Sequence, residues 1–171
     1  VYEKVPISAF TGKDGIDPWN FYCEKGKGRA YRDGDKLLYE AAKDSVVYLG
    51  ANPNLDVSVG ADIVIPMSII SQGVPNSTAS NKDRAYPVRM DIVVATPQGN
   101  KFKATKCYTA CDPATRDGVE TITLGEITTL NFGFEKGQIG LLESISFSGS
   151  SVDTNGGFKV SVGPLYANLY R

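Results

Sequence analysis

Val88, Met90, Ile92 and Val94 alternate with Arg89, Asp91 and Val93, and this period of two most constrains the fold. It gives a strand with one apolar face and one mostly polar face. Thr96-Pro97-Gln98-Gly99-Asn100 then supplies turn residues, and Phe102 to Tyr108 returns the chain, which predicts a hairpin. The same grammar recurs along the sequence. Val1 to Phe10, Trp19 to Cys23, Arg29 to Arg32, Val46 to Leu49, Ile63 to Ile70, Ile122 with Leu124, Ile127 to Phe134, Leu141 to Phe147, Phe158 to Val162 and Leu165 to Tyr170 all read as short strands. Turn chemistry separates them, as at Thr11 to Gly15, Gly26 to Gly28 and Asp33-Gly34.

Two segments carry conflicting signals. Leu37, Leu38, Ala41 and Ala42 sit at helical spacing behind a possible cap at Asp35, yet Leu38 and Glu40 also fit a strand beside Arg29 to Arg32. We read a strand there. Pro66 interrupts the apolar run Ile63 to Ile70 and points to a bulge or an edge. Ser71 to Ala85 and Cys111 to Gly118 read as surface loops. The expected architecture over residues 1–171 is one all-β domain, an antiparallel β-sandwich of jelly-roll type with at most two short helices.

The 171 residues suffice for one core, and a net charge of −1 with scattered Lys and Arg argues against a nucleic-acid partner. No apolar run is long enough for a membrane-spanning helix. Histidine is absent, which removes His-based acid/base catalysis, Ser-His-Asp and Cys-His nucleophiles, and most zinc enzyme sites. Three cysteines, the sequon Asn76-Ser77-Thr78 and a start at Val1 without methionine fit a secreted, extracellular chain. Cys107 and Cys111, with three residues between them, are the favoured disulfide, with Cys23 as a buried thiol; a bridge from Cys23 to either one stays open.

The richest stretch runs from Ile16 to Asp35. It holds the only tryptophan, Trp19, with Phe21, Tyr22 and Tyr31 set among Arg29, Arg32, Asp33 and glycine turns. Trp19, Tyr22 and Tyr31 are candidates for stacking on sugar rings, with Arg29, Arg32 and Asp33 as polar partners. Trp19 and Tyr22 have opposite parity, so a regular strand cannot present both on one face. Either the strand bulges, or one ring is core and the other faces ligand. For calcium, Asp153 and Asn155 with the Gly156-Gly157 backbone, or Asp14 and Asp17 with neighbouring carbonyls, offer incomplete oxygen sets. Tyr86, Arg89 and Tyr108 form a conceivable lyase set, and nothing selects a glycosidase pair among nineteen carboxylates.

One likeness adds to this reading. Asp17-Pro18-Trp19-Asn20-Phe21-Tyr22, a glycine-rich turn, then Asp33-Gly34 and Lys36-Leu37-Leu38 resemble the opening of carbohydrate-binding modules with a galactose-binding-like jelly roll. In those modules a W-x-x-Y strand precedes a glycine turn and a dG-x-L strand. Leu141 to Ser150 and Gly156 to Arg171 are similar to their two closing strands, the last of which often lies near a structural Ca²⁺. The resemblance implies non-catalytic binding of a polysaccharide or glycan. A structural or adhesive subunit, such as a viral coat, tail or cell-surface protein, is the alternative; a glycosidase or lyase comes third. The sequence leaves the oligomeric state open.

Overall fold

The computed structural model describes residues 2–7, 10–58, 60–74, 85–108, 120–123 and 139–170. Expectations for most of the loop before Ala85, for Cys111 to Gly118, for Leu124 and for Ile127 to Phe134 concern residues outside that set. The described residues form fourteen strands and no helix. They are β1 (Tyr2–Pro6), β2 (Asn20–Lys25), β3 (Gly28–Asp33), β4 (Lys36–Ala41), β5 (Val46–Ala51), β6 (Leu55–Asp56) and β7 (Ala61–Ile65). There follow β8 (Met67–Gln72), β9 (Ala85–Ala95), β10 (Lys101–Tyr108), β11 (Glu120–Thr123), β12 (Leu141–Ser151), β13 (Phe158–Val162) and β14 (Tyr166–Tyr170).

All pairings are antiparallel. A long sheet runs β10-β9-β12-β5-β2, with β6 beside β12. Two four-stranded sheets complete the sandwich: a hairpin sheet, β3-β4-β13-β8, and a terminal sheet, β1-β14-β7-β11. One core joins all three. Val47, Leu49, Met90, Ile92, Ile145 and Phe147 of the long sheet cluster with Leu37, Tyr39, Val160, Ile63 and Leu169 of the other two.

The expected hairpin forms in register, Val94 opposite Phe102 and Val88 opposite Tyr108, and Val88, Met90, Ile92 and Val94 are buried as the alternation requires. The run through Pro66 does not make one strand. β7 joins the terminal sheet and β8 the hairpin sheet, with Pro66 at the break, where a residue lacking an amide hydrogen costs no ladder bond. The Pro66 carbonyl instead accepts the Gly163 amide at 2.7 Å, so the chain passes from the terminal to the hairpin sheet at 66 beside the point near 163 where it passes back. The segment with helical spacing is strand β4, held between β3 and β13. Two ladders outweigh a weak local preference. Among the described residues no helix is long and apolar enough to cross a membrane.

Candidate functional site

β2 shows how parity divides the aromatic stretch. Trp19, just before the strand, is 1 % exposed and stacks on Phe147 with ring centroids 6.2 Å apart. Tyr22 points the other way and is 58 % exposed. The Trp19 ring is therefore core and unavailable to a ligand, which corrects the expectation that it stacks on sugar. Tyr22 remains, and the fold supplies its partner.

In register, Tyr22 lies opposite Tyr48, Tyr48 opposite Ser148, Ser148 opposite Arg89, and Arg89 opposite Cys107. This row crosses the whole outer face of the long sheet. Tyr22 and Tyr48 stack at 5.6 Å with their planes 19° apart, a cross-strand pair of the kind that stiffens a sheet. The Tyr48 hydroxyl donates to Glu24 Oε2 at 3.0 Å. Desolvation, followed by the Glu24 carboxylate, raises its pKa above the usual tyrosine range. Tyr48 is thus a neutral, anchored ring at neutral pH.

The adjacent row is polar and small: Asn20, Gly50, Ser146, Asp91 and Thr105. Asn20, Gly50, Asn52, Ser144 and Ser146 line a depression of about 280 Å³ beside the tyrosine pair. Gly50 keeps its floor open, since a Cβ there would stand 3.3 Å from that of Ser146. Farther along, Arg89 Nε lies 3.4 Å from Asp91 Oδ2, and Thr105 donates its hydroxyl to Asp91 Oδ1. The Tyr86 hydroxyl and the Asp91 carboxylate both favour the charged guanidinium. The face therefore offers two rings, several amide and hydroxyl groups, and a charge pair that is internally neutralised.

The other expected residues lie elsewhere. Arg29 and Tyr31 stand on the outer face of the hairpin sheet, where Arg29 pairs with Glu40. Arg32 donates to the carbonyls of Gly12 at 2.8 Å and of Lys13, and its guanidinium lies 4.6 Å from the Phe10 ring centroid. It clamps the turn before β2, and its guanidinium occupies carbonyls considered above as calcium ligands. Asp33 ends β3, opposite Lys36. Asn155 uses its side-chain oxygen to accept the Val74 amide at 2.7 Å, and the Asp153 amide donates to Asp44 Oδ1 at 2.9 Å. Both residues shape turns there. Among the described residues no three His, Cys, Asp or Glu side chains gather as a metal site.

Tyr108 is buried beneath the sheet while Arg89 faces outward, so the conceived lyase set is split between two faces. Cys23 and Cys107 are free thiols, and Cys111 lies outside the described residues. Partial desolvation pushes the Cys107 thiol up, against a smaller opposing effect of Arg89. Tyr48 had a legible signal: Val47 and Leu49 flank it as core residues, so parity turns it outward. Its pairing with Tyr22 did not, because register is a tertiary property.

No protein-family model matches the chain, and no curated protein matches it in sequence. The solved structures that it resembles include carbohydrate-binding modules. A family 11 module from Clostridium thermocellum is 13 % identical, with a TM-score of 0.49 over 100 % of this chain and 96 % of that one. TmCBM61, solved with β-1,4-galactotriose, is 13 % identical, with a TM-score of 0.44 over 90 % of this chain and 89 % of that one. An agarase is 10 % identical, with a TM-score of 0.56 over 98 % of this chain but only 26 % of its own. At such identities the likeness is one of fold.

Proposed function

We propose that this domain binds a neutral polysaccharide without chemical turnover, through the outer face of the long sheet. The observation that carries the reading is the exposed, stacked Tyr22–Tyr48 pair beside an uncharged depression. Sugar rings carry apolar C–H faces that pack on aromatic rings, and their hydroxyl rims need hydrogen-bonding groups close by. Asn20, Asn52, Ser144 and Ser146 supply those groups. A secreted protein fits this role, and the sequon at Asn76 supports that setting.

Affinity electrophoresis through gels containing β-1,4-galactan, mixed-linkage β-glucan, mannan or agarose tests the proposal. The wild-type domain should be retarded by at least one of them. Tyr22→Ala and Tyr48→Ala should each weaken that binding about tenfold or more, a loss of about 1.4 kcal/mol, while remaining folded by circular dichroism. A domain that ignores every polymer and sediments as a defined oligomer would instead support a structural or adhesive subunit.

A further inference from the structure

The hairpin sheet turns its own outer face to solvent, and the residues there differ in kind from those beside Tyr22. Arg29, Glu40 and Lys159 are successive partners across β3, β4 and β13. Tyr31 stands one row further along β3, and Lys27 one row before Arg29, all with the same parity. Arg29 pairs with Glu40. Its guanidinium also lies 4.6 Å from the Tyr31 ring centroid, with the Lys159 ammonium 5.9 Å from the same centroid. Lys27, Gly28, Arg29, Glu40 and Ala42 line a recess of about 240 Å³.

The charge balance of this patch is unlike that of the chain. Lys27, Arg29 and Lys159 face a single carboxylate, Glu40, and neither lysine makes an ion pair among the described residues. Two positive charges are left over, on a protein whose net charge is −1. Asp33, the next acidic group along β3, is opposed by Lys36. Two of the cations lean on one aromatic ring, a contact that restrains long side chains before any ligand arrives. A half-buried ring bordered by restrained cations complements a sugar ring bearing an anionic substituent. The excess charge is too small and too local for a nucleic-acid backbone.

We infer that the outer face of the hairpin sheet is a second ligand surface, which takes a carboxylate- or sulfate-bearing polysaccharide. Lys27, Arg29 and Lys159 meet the anionic groups, and Tyr31 packs under the sugar ring. The surface is independent of the tyrosine pair on the long sheet and goes beyond the binding proposed there.

Two polymer pairs with matched backbones separate charge from sugar recognition: dextran sulfate against dextran, and polygalacturonate against its methyl ester. In affinity electrophoresis the full chain should be retarded by at least one charged polymer and not by its neutral counterpart. The pair that responds shows whether sulfate or carboxylate is preferred. Arg29→Ala combined with Lys159→Ala should weaken that binding at least tenfold, and Lys27→Ala should weaken it less. Tyr22→Ala, which disables the other face, should leave it unchanged. Three results would overturn the inference: retardation by neither charged polymer, equal retardation by charged and neutral partners, or a double variant that binds like wild type. Equal retardation by duplex DNA would reduce the surface to unspecific charge and overturn it as well. Because all these substitutions are at exposed or half-exposed positions, thermal unfolding of each variant checks that the fold is intact.

Discussion

Removing the Trp19 indole should cost about 3–5 kcal/mol of stability, the usual range for truncating a fully buried large aromatic. Denaturant titration of Trp19→Ala measures this, and the wild-type fluorescence should be blue-shifted and unmoved by glycans. Tyr22→Ala, three residues away, should leave the denaturation midpoint nearly unchanged, because the ring is mostly in solvent. A reversed pattern would mean that the strand has the opposite facing. Cys107 makes a separate prediction. Its raised pKa leaves little thiolate near pH 8, so iodoacetamide should modify it more slowly than free cysteine; faster modification would indicate an activated thiol.

At the scale of elements, β12 shows how one strand prepares two faces. Its register against β9 shifts between Leu142 and Ser144, where Glu143 is the inserted residue, and again between Ser148 and Ser150, where β9 carries the extra residue and both Pro87 and Val88 stand against Gly149. A Cβ at Gly149 would overlap the Phe158 ring and the Pro87 carbonyl. Gly149→Ala should therefore destabilise the domain by about 1–3 kcal/mol through overpacking, read as a lower denaturant midpoint. It should also disturb the neighbouring Ser148 between Tyr48 and Arg89. The alternation of β9 and the turn at 96–100 made that hairpin legible from sequence, and parity exposed Tyr22 and turned its half-buried neighbours Phe21 and Cys23 toward the core. The bulges, the change of sheet at Pro66 and the meeting of Tyr22 with Tyr48 were not legible. Each depends on which strands become neighbours, and local pattern carries no such information. The grouping of Tyr22 with Tyr31 failed for the same reason: the turn at Gly26 to Gly28 sends β2 and β3 into different sheets.

Across the whole molecule, Tyr39 ties the two layers together. It lies fully buried on β4, edge-on to Phe158, and donates its hydroxyl to the Pro87 carbonyl of β9 at 2.9 Å. Burial raises its pKa far above the ordinary value of about 10. The unfolded chain therefore releases this proton first. The stability that Tyr39 contributes is complete below about pH 10 and is lost progressively as pH rises beyond it, by up to about 1.4 kcal/mol per pH unit. Urea titrations at pH 9 and pH 11 should show this fall, and Tyr39→Phe should shrink it while lowering stability at pH 7 by about 1–3 kcal/mol for the orphaned carbonyl.

The outer face of the long sheet is the surface proposed to hold the polysaccharide. Chemical-shift mapping of the ¹⁵N-labelled domain tests it most directly, with an oligosaccharide from whichever neutral polymer retards the protein. The largest amide shifts should fall at Asn20, Tyr22, Tyr48, Gly50, Ser146 and Ser148, with the hairpin-sheet residues Arg29, Tyr31 and Lys159 unmoved. Shifts that instead centre on the hairpin sheet or on turns at the strand ends, with the Tyr22–Tyr48 row silent, would contradict it.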